Sequence, residues 1–141
     1  MTLQSIDPAA EVAAAVREAE TQVYLAAGAF GTALRASPEF VRLRTAGAAL
    51  GKDDAAQAAI EAFNTGRAEL QFEIRLGTLD AAQQAQIERL QADMIAFPTV
   101  AEYLAAQTEF EAICRETAAL ISSETDIDFA ANCRSGGCCG G

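Results

Sequence analysis

The most informative absence in this sequence is that of histidine, which occurs nowhere among the 141 residues. Histidine is the commonest general base near neutral pH and the commonest metal ligand. The sequence also shows no serine–base pair, no glycine-rich phosphate loop and no Walker-type motif. These absences remove the usual chemistry of an enzymatic site and of a histidine-bound metal.

Proline, tryptophan and aromatic residues are scarce, with three prolines, no tryptophan and an aromatic fraction of 6%. Few prolines and glycines leave few turn signals for a β-rich chain. Alanine dominates the apolar fraction of 51%. Alanine-lined helices pack closely but bury little area each, so we expect an all-α, elongated helical bundle with shallow layers.

Positive charge is also scarce, since 20 acidic residues stand against 10 basic ones and give a net charge of −10. Such a surface repels phosphate backbones and anionic lipid, so direct binding to nucleic acid or membrane is not expected. Residues 1–4 show neither a basic region nor a long apolar run, and no stretch is long enough to span a membrane. We therefore expect a cytoplasmic protein whose cysteines are reduced.

Apolar spacing predicts about five helices in residues 1–125. The first begins at Asp7-Pro8 and carries one apolar stripe, with Gly28 and Gly31 marking a close approach or a bend. It ends at Ser37-Pro38, where a short second helix begins. Its stripe residues are Val12, Val16, Ala19, Val23, Ala26, Phe30 and Leu34.

The third helix carries an apolar pattern that continues through Leu70 to Ile74, interrupted only by Arg67. Gly77-Thr78 stops this helix and Asp80 restarts the chain, so the third and fourth helices form a central antiparallel hairpin. A fifth helix runs from Pro98 to about residue 124, and residues 126–141 form a flexible tail rich in Cys and Gly.

Alanine seams of this kind leave apolar stripes that one chain covers only in part. Self-association or docking of a partner helix would cover the remainder. The alternative is a monomeric bundle in which all five stripes face inward.

Several segments are typical of one family of bacterial and archaeal regulators. They are LRASPEF at 34–40, GTLD at 77–80, PTVAEYLAAQ at 98–107, IDFAANC at 127–133 and GGCC at 136–139. From near Leu25 to its C-terminus the chain resembles the YlbF/YmcA family. Residues 1–24 are an N-terminal helical extension beyond the usual family start.

This resemblance implies an all-helical regulatory adaptor without catalytic activity. Family members in some bacteria assemble with each other and with a third protein, YaaT. The assembly influences competence, biofilm formation and sporulation, and it acts on RNA processing through ribonuclease Y. The family complex is also associated with iron–sulfur clusters held by cysteines. The implied partners are therefore related helical subunits in a homo- or hetero-oligomer, a YaaT-like protein and ribonuclease Y.

Three thiols in the tail form a C-x4-C-C pattern at Cys133, Cys138 and Cys139, with glycines around them. Thiolates select zinc, Cu(I) or iron–sulfur clusters, and the flanking glycines let a backbone wrap such a centre. The spacing is neither a zinc ribbon nor a ferredoxin motif. We expect a 4Fe–4S cluster or zinc, with ligands shared between subunits; the alternatives are a tail without a ligand and a disulfide.

Cys114 is the one thiol left as a fourth ligand, but its place beside an apolar stripe favours burial as a small hydrophobe. Glu61, Glu69 and Glu73 are read as a solvated face. Arg67 is either an interfacial partner of an acid such as Glu88 or a snorkelling surface residue. The competing functions are an iron–sulfur or metal-binding redox carrier and a structural coiled-coil protein.

Overall fold

Six helices make up the part of the chain, residues 8–128, that the computed structural model describes. They are α1 (Pro8–Ala36), α2 (Pro38–Leu50), α3 (Asp54–Glu69), α4 (Gln71–Leu76), α5 (Ala81–Ile95) and α6 (Pro98–Thr125). No strand occurs within residues 8–128, and the all-α prediction is confirmed. The chain divides into two compact units, Met1–Pro38 with α1 and Glu39–Gly141 with α2–α6.

Short local signals set most of the helix ends. The Asp53 side chain caps α3 by accepting from the Ala56 N–H at 3.1 Å. Asp80 starts α5 with a capping box, in which Asp80 and Gln83 each bond the backbone N–H of the other. Gly77 ends α4 at φ 68°, a left-handed conformation that glycine adopts without a Cβ penalty.

The predicted third helix is divided in two, and its expected continuity through Leu70 is wrong. Leu70 has φ −104° and ψ 14°, which ends α3 at Glu69 and starts the six-residue α4 at Gln71. No glycine or proline lies at this point, so neither apolar spacing nor a breaker residue marks the division. The central hairpin therefore consists of α3 and α5, with α4 placed between them in sequence.

The core is small and is built around the ends of the helices of the second unit. Leu50 at the end of α2, Ala56 in α3 and Val100 in α6 are buried together. Partly buried side chains pack against these three: Ile60, Met94, Phe97 and Tyr103. Because alanine removes little apolar area from water, this cluster stabilises the fold mainly through the larger side chains around it.

Helices α3 and α5 approach closely at Gly66, which is buried. A Cβ at this position would lie 2.6 Å from Leu90 Cδ1 of α5. The missing side chain therefore leaves the space that Leu90 fills, and the predicted packing of these two segments against each other is confirmed.

Helices α2 and α6 run antiparallel, since contacts that move forward along α2 move backward along α6. The Phe40 and Phe110 rings lie 5.4 Å apart at an interplanar angle of 52°. About two turns further along α2, Gly47 faces the Tyr103 ring, and a Cβ added at Gly47 would lie 3.5 Å from this ring. An aromatic pair near one end and a glycine–tyrosine contact near the other thus fix the register.

Arg42 of α2 also contacts α6, at the surface of this helix pair. Its Nε and Nη2 donate to the two carboxylate oxygens of Glu102 at 2.8 and 3.0 Å, and its Nη1 contacts Glu109. The Arg42 guanidinium lowers the pKa of the Glu102 carboxyl, and the two carboxylates raise the pKa of Arg42. Because these groups are partly exposed, the bonds orient the helices more than they stabilise the fold.

Asp53 also joins the start of α3 to the start of α6. The Thr99 hydroxyl donates to its second carboxylate oxygen at 2.7 Å. That hydrogen bond, followed by the one from the Ala56 N–H, holds the pKa of the Asp53 carboxyl below its usual value. One carboxylate therefore fixes two helix starts at the edge of the core.

Alanine substitutions at two glycines of the second unit should give different results. Gly47→Ala is expected to raise the free energy of unfolding by about 0.5–1 kcal/mol, because alanine favours helix and an ordinary contact with Tyr103 results. Gly66→Ala is expected to be less stable than Gly47→Ala by about 1 kcal/mol, because Leu90 must move. Urea unfolding measures both values, and equal gains at the two sites would contradict the close approach of α3 and α5.

Removing the Thr99 hydroxyl should raise the pKa of the Asp53 carboxyl. In the native chain this pKa is depressed, so the carboxylate contributes stability above the unfolded value of about 3.9 and loses it as pH falls through the folded pKa. Carboxyl-carbon NMR titration of Thr99→Val measures the change. The control is Thr45→Val, whose hydroxyl bonds only Val41 of its own helix among the contacts seen; an equal shift in both variants would refute the assignment.

Candidate interaction surface

The apolar stripe predicted on the first helix lies on α1 and is exposed except at Leu34, which is half-buried. No residue of Pro8–Ala36 is buried. Val12, Val16 and Val23 are 64%, 53% and 67% exposed. A single helix cannot cover a stripe on its own surface, so these side chains require another apolar face to leave water.

A shallow depression lies beside the middle of this stripe. Its lining consists of Val16, Ala19, Glu20, Val23 and Tyr24, all from α1. Glu20 is the one charged residue in that lining. Because all five residues belong to one helix, the depression suits side chains of a neighbouring helix rather than an enclosed small molecule.

The two glycines of α1 do not mark a close approach to another described segment. A Cβ at Gly28 or Gly31 would meet no described atom within 4 Å. The predicted close approach at these positions is therefore absent from residues 8–128. The helix continues past both glycines to Ala36.

The second unit carries smaller exposed apolar groups of its own. Phe72 and Leu76 of α4 lie four residues apart, so they project from the same side of the helix, and both are exposed. On α5 a shallow depression is lined by Glu88, Gln91, Ala92, Ile95 and Ala96. Exposed apolar surface thus occurs on several helices, but the longest continuous stripe is that of α1.

The helices just described coincide with the region that matches a known family. The family model described as "Control of competence regulator ComK, YlbF/YmcA" matches residues 23–125. The chain belongs to the YlbF/YmcA family. No curated protein and no solved structure was found to match it.

The YlbF/YmcA match begins at Val23, inside α1, and ends at Thr125, the last residue of α6. The resemblance seen in the sequence is confirmed for this region. The first half of α1 precedes the match, and the tail segments at 127–133 and 136–139 follow it. The family is described as one of competence regulators. Within residues 8–128, no helix combines the length and apolar character needed to cross a membrane.

Of the four thiols considered as ligands in this YlbF/YmcA member, only Cys114 lies among the described residues. Cys133, Cys138 and Cys139 lie outside the described residues, so the prediction of a metal or cluster in the tail stays a prediction. Cys114 lies on α6 and is half-buried. Across residues 8–128, no three Cys, Asp or Glu side chains gather in a group that could hold a metal ion.

Arg67 and the three acids of the third helix follow the sequence-based interpretation in part. The Arg67 guanidinium lies 5.7 Å from the centre of the Phe63 ring, and no ion pair with Glu88 is seen in residues 8–128. Glu61 and Glu69 are exposed. Glu73 corrects the expected solvated face, because its Oε2 is buried and accepts no hydrogen bond from any described residue.

The arrangement of Arg42 with Glu102 and Glu109 was not anticipated from the sequence. The one available signal is that the two acids are seven residues apart, which places them on the same side of a helix. Which basic residue faces them depends on the pairing of α2 with α6, and no local pattern reports that pairing.

Proposed function

We propose that this chain is a non-enzymatic regulatory adaptor that assembles with other helical subunits through exposed apolar helix faces. The observation that carries the proposal is the continuous exposed stripe of α1 in a member of a regulatory family. The chain has no histidine, and its described residues carry no metal-binding group. These features support an action through protein contacts.

The expected affinity of such contacts can be estimated from the apolar side chains of the α1 stripe. Full burial of a valine or phenylalanine side chain is favourable by about 1.5–3 kcal/mol. Ordering two partners offsets much of this gain, so the expected affinity is moderate and the assembly reversible. A reversible assembly suits regulation, since the concentration of either partner changes its occupancy.

The proposed partners are related YlbF/YmcA subunits, a YaaT-like protein and, through them, ribonuclease Y. The net charge of −10 opposes binding to an RNA backbone. An effect on RNA processing would therefore pass through a protein that itself contacts the RNA. In this scheme the chain controls which proteins meet, not the chemistry of cleavage.

We also propose that the tail thiols hold a 4Fe–4S cluster or zinc when the assembly forms. Cys114 is the only thiol among the described residues, so the donor set would come from Cys133, Cys138 and Cys139 with a fourth ligand from Cys114 or a partner. Thiolate sulfur is a preferred ligand of both zinc and iron–sulfur clusters, so these cysteines are suitable ligands for either centre. The bound centre would supply redox sensitivity or a cross-link between subunits.

Co-purification with a related YlbF/YmcA subunit from the same source tests the adaptor proposal. An affinity-tagged partner is expected to retain the parent chain, whereas Val16→Asp should reduce recovery to about a tenth or less, because a charge enters an apolar contact. Leu25→Asp is the matched control, since Leu25 is 62% exposed on the opposite side of α1. Equal recovery of parent and Val16→Asp would contradict the proposal.

Anaerobic purification followed by iron, sulfide and zinc analysis tests the thiol centre. A variant with Ser at positions 133, 138 and 139 is expected to lose the bound metal, because serine does not replace thiolate as a soft ligand. Cys114→Ser distinguishes a fourth ligand within the chain from one supplied by a partner. Equal metal content in the parent and the triple variant would exclude the tail centre, and a full centre in the isolated monomer would favour a redox carrier.

A further inference from the structure

We propose that α1 pairs antiparallel with α1 of a second copy of this chain, about a twofold axis near Val23. This proposal rests on the proposed function and names the occupant of the exposed stripe. It follows from the symmetry of the stripe, the distribution of charge along α1 and the amount of apolar surface exposed.

The stripe is arranged almost symmetrically about its middle residue. Val12 and Leu34 are equally distant from Val23 in sequence, and so are Val16 and Phe30. A twofold interface places the same patch of both copies face to face, so the patch must complement itself. With antiparallel helices, Val23 meets Val23 and the valine half of each stripe meets the Phe30–Leu34 half of the other.

The charges on α1 permit a second copy at this helix. The whole chain carries a net charge of −10, which opposes self-association over most of its surface. In α1, three acids stand against two arginines, and no stripe residue is charged. A copy can therefore approach this side of α1 without bringing like charges into an apolar contact.

The order of these charges favours the antiparallel orientation. Glu11, Glu18 and Glu20 lie before Val23 together with a single arginine, Arg17, so this half of α1 is net negative, whereas Arg35 lies near the end of the helix. A parallel pair would align Glu18 and Glu20 with their own copies. An antiparallel pair brings the acidic half of each helix toward the Arg35 half of the other, and it also opposes the two helix dipoles.

The exposed area is sufficient for one helix-to-helix interface. At about 1.5 Å per residue the stripe is about 33 Å long. Its larger side chains and the alanines between them would bury about 500 Å² per copy, or about 1,000 Å² in the pair, close to the lower limit of specific interfaces. We therefore expect a reversible dimer with a Kd of about 1–100 µM.

Sedimentation equilibrium of the purified full chain tests the pairing over about 1–500 µM, a range that spans the expected Kd. The parent should dimerise with increasing concentration. Val23→Asp should raise the Kd at least about 100-fold, because two carboxylates would meet in an apolar seam. Leu25→Asp should change the Kd less than about threefold, since it places the same charge on the opposite side of the helix.

Val23→Ala tests the interface without unfolding α1, because alanine is the best helix former. It should raise the Kd about tenfold or more with the helical circular dichroism unchanged, since two valines leave the interface. A parent chain that stays monomeric throughout the range, or a Kd that Val23→Ala and Val23→Asp leave unchanged, would overturn the proposal.

Disulfide trapping tests the orientation. In a full-length background with the four native cysteines replaced by serine, Val16→Cys and Phe30→Cys chains are mixed and oxidised. Antiparallel pairing predicts mixed 16–30 cross-links between copies. Cross-links of 16 with 16 and 30 with 30 would overturn the antiparallel arrangement.

The sedimentation and co-purification results together distinguish self-pairing from the adaptor function. A monomeric chain that still co-purifies with a related subunit would overturn self-pairing while the adaptor proposal stands. A dimer lost in Val23→Asp, together with no recovery by any related subunit, would support self-pairing and contradict assembly with other subunits.

Discussion

The close approach of helices at very small side chains is the constraint on which the second unit depends. Ala56 and Ala106 are fully buried, and Gly66 leaves the space into which Leu90 packs. Small residues let helix backbones approach, but each removes little apolar area from water. The core is therefore tight and thin, and its stability relies on the few larger side chains around Leu50 and Val100. A fold of this kind has little interior in which to hide additional apolar groups, which explains why side chains such as Phe72 remain on its surface.

Polar contacts at the surface determine how these thin layers are aligned. The Arg42 fork on Glu102 and Glu109 fixes α2 against α6, and the Asp53 carboxylate ties the first turns of α3 and α6 together. Such exposed contacts contribute little free energy individually, but each is satisfied in only one register. Small side chains alone restrict the register only weakly, and the charged contacts add to the restriction. The register of this unit is therefore specified by its polar surface contacts together with the aromatic and glycine contacts between the helices.

The sequence predicted the features that local chemistry controls. Gly77, Asp53, Asp80 and Pro98 mark helix ends through backbone conformation and capping, and each acts within one turn of itself. The division at Leu70 has no such mark, because no breaker occurs there and the apolar spacing continues. Arg42 and the buried Glu73 oxygen could not be predicted either, since their surroundings depend on which helices pack together. The tail cysteines were noticed from their spacing in the sequence. Such a pattern suggests thiolate ligation but does not give the positions of the sulfur atoms.

The family match begins inside α1, so it covers only part of the apolar stripe. The match begins at Val23, so the family portion of α1 supplies only the second half of the stripe, with Phe30 and Leu34 as its large side chains. The residues before it add Val12, Val16 and Ala19, which continue the same side of the helix and make the stripe symmetric about Val23. An antiparallel pair centred on Val23 uses both halves of the stripe, so it requires the residues before Val23 as well as those after it. In the proposed dimer, self-pairing would compete with binding of other family subunits for the same side of α1.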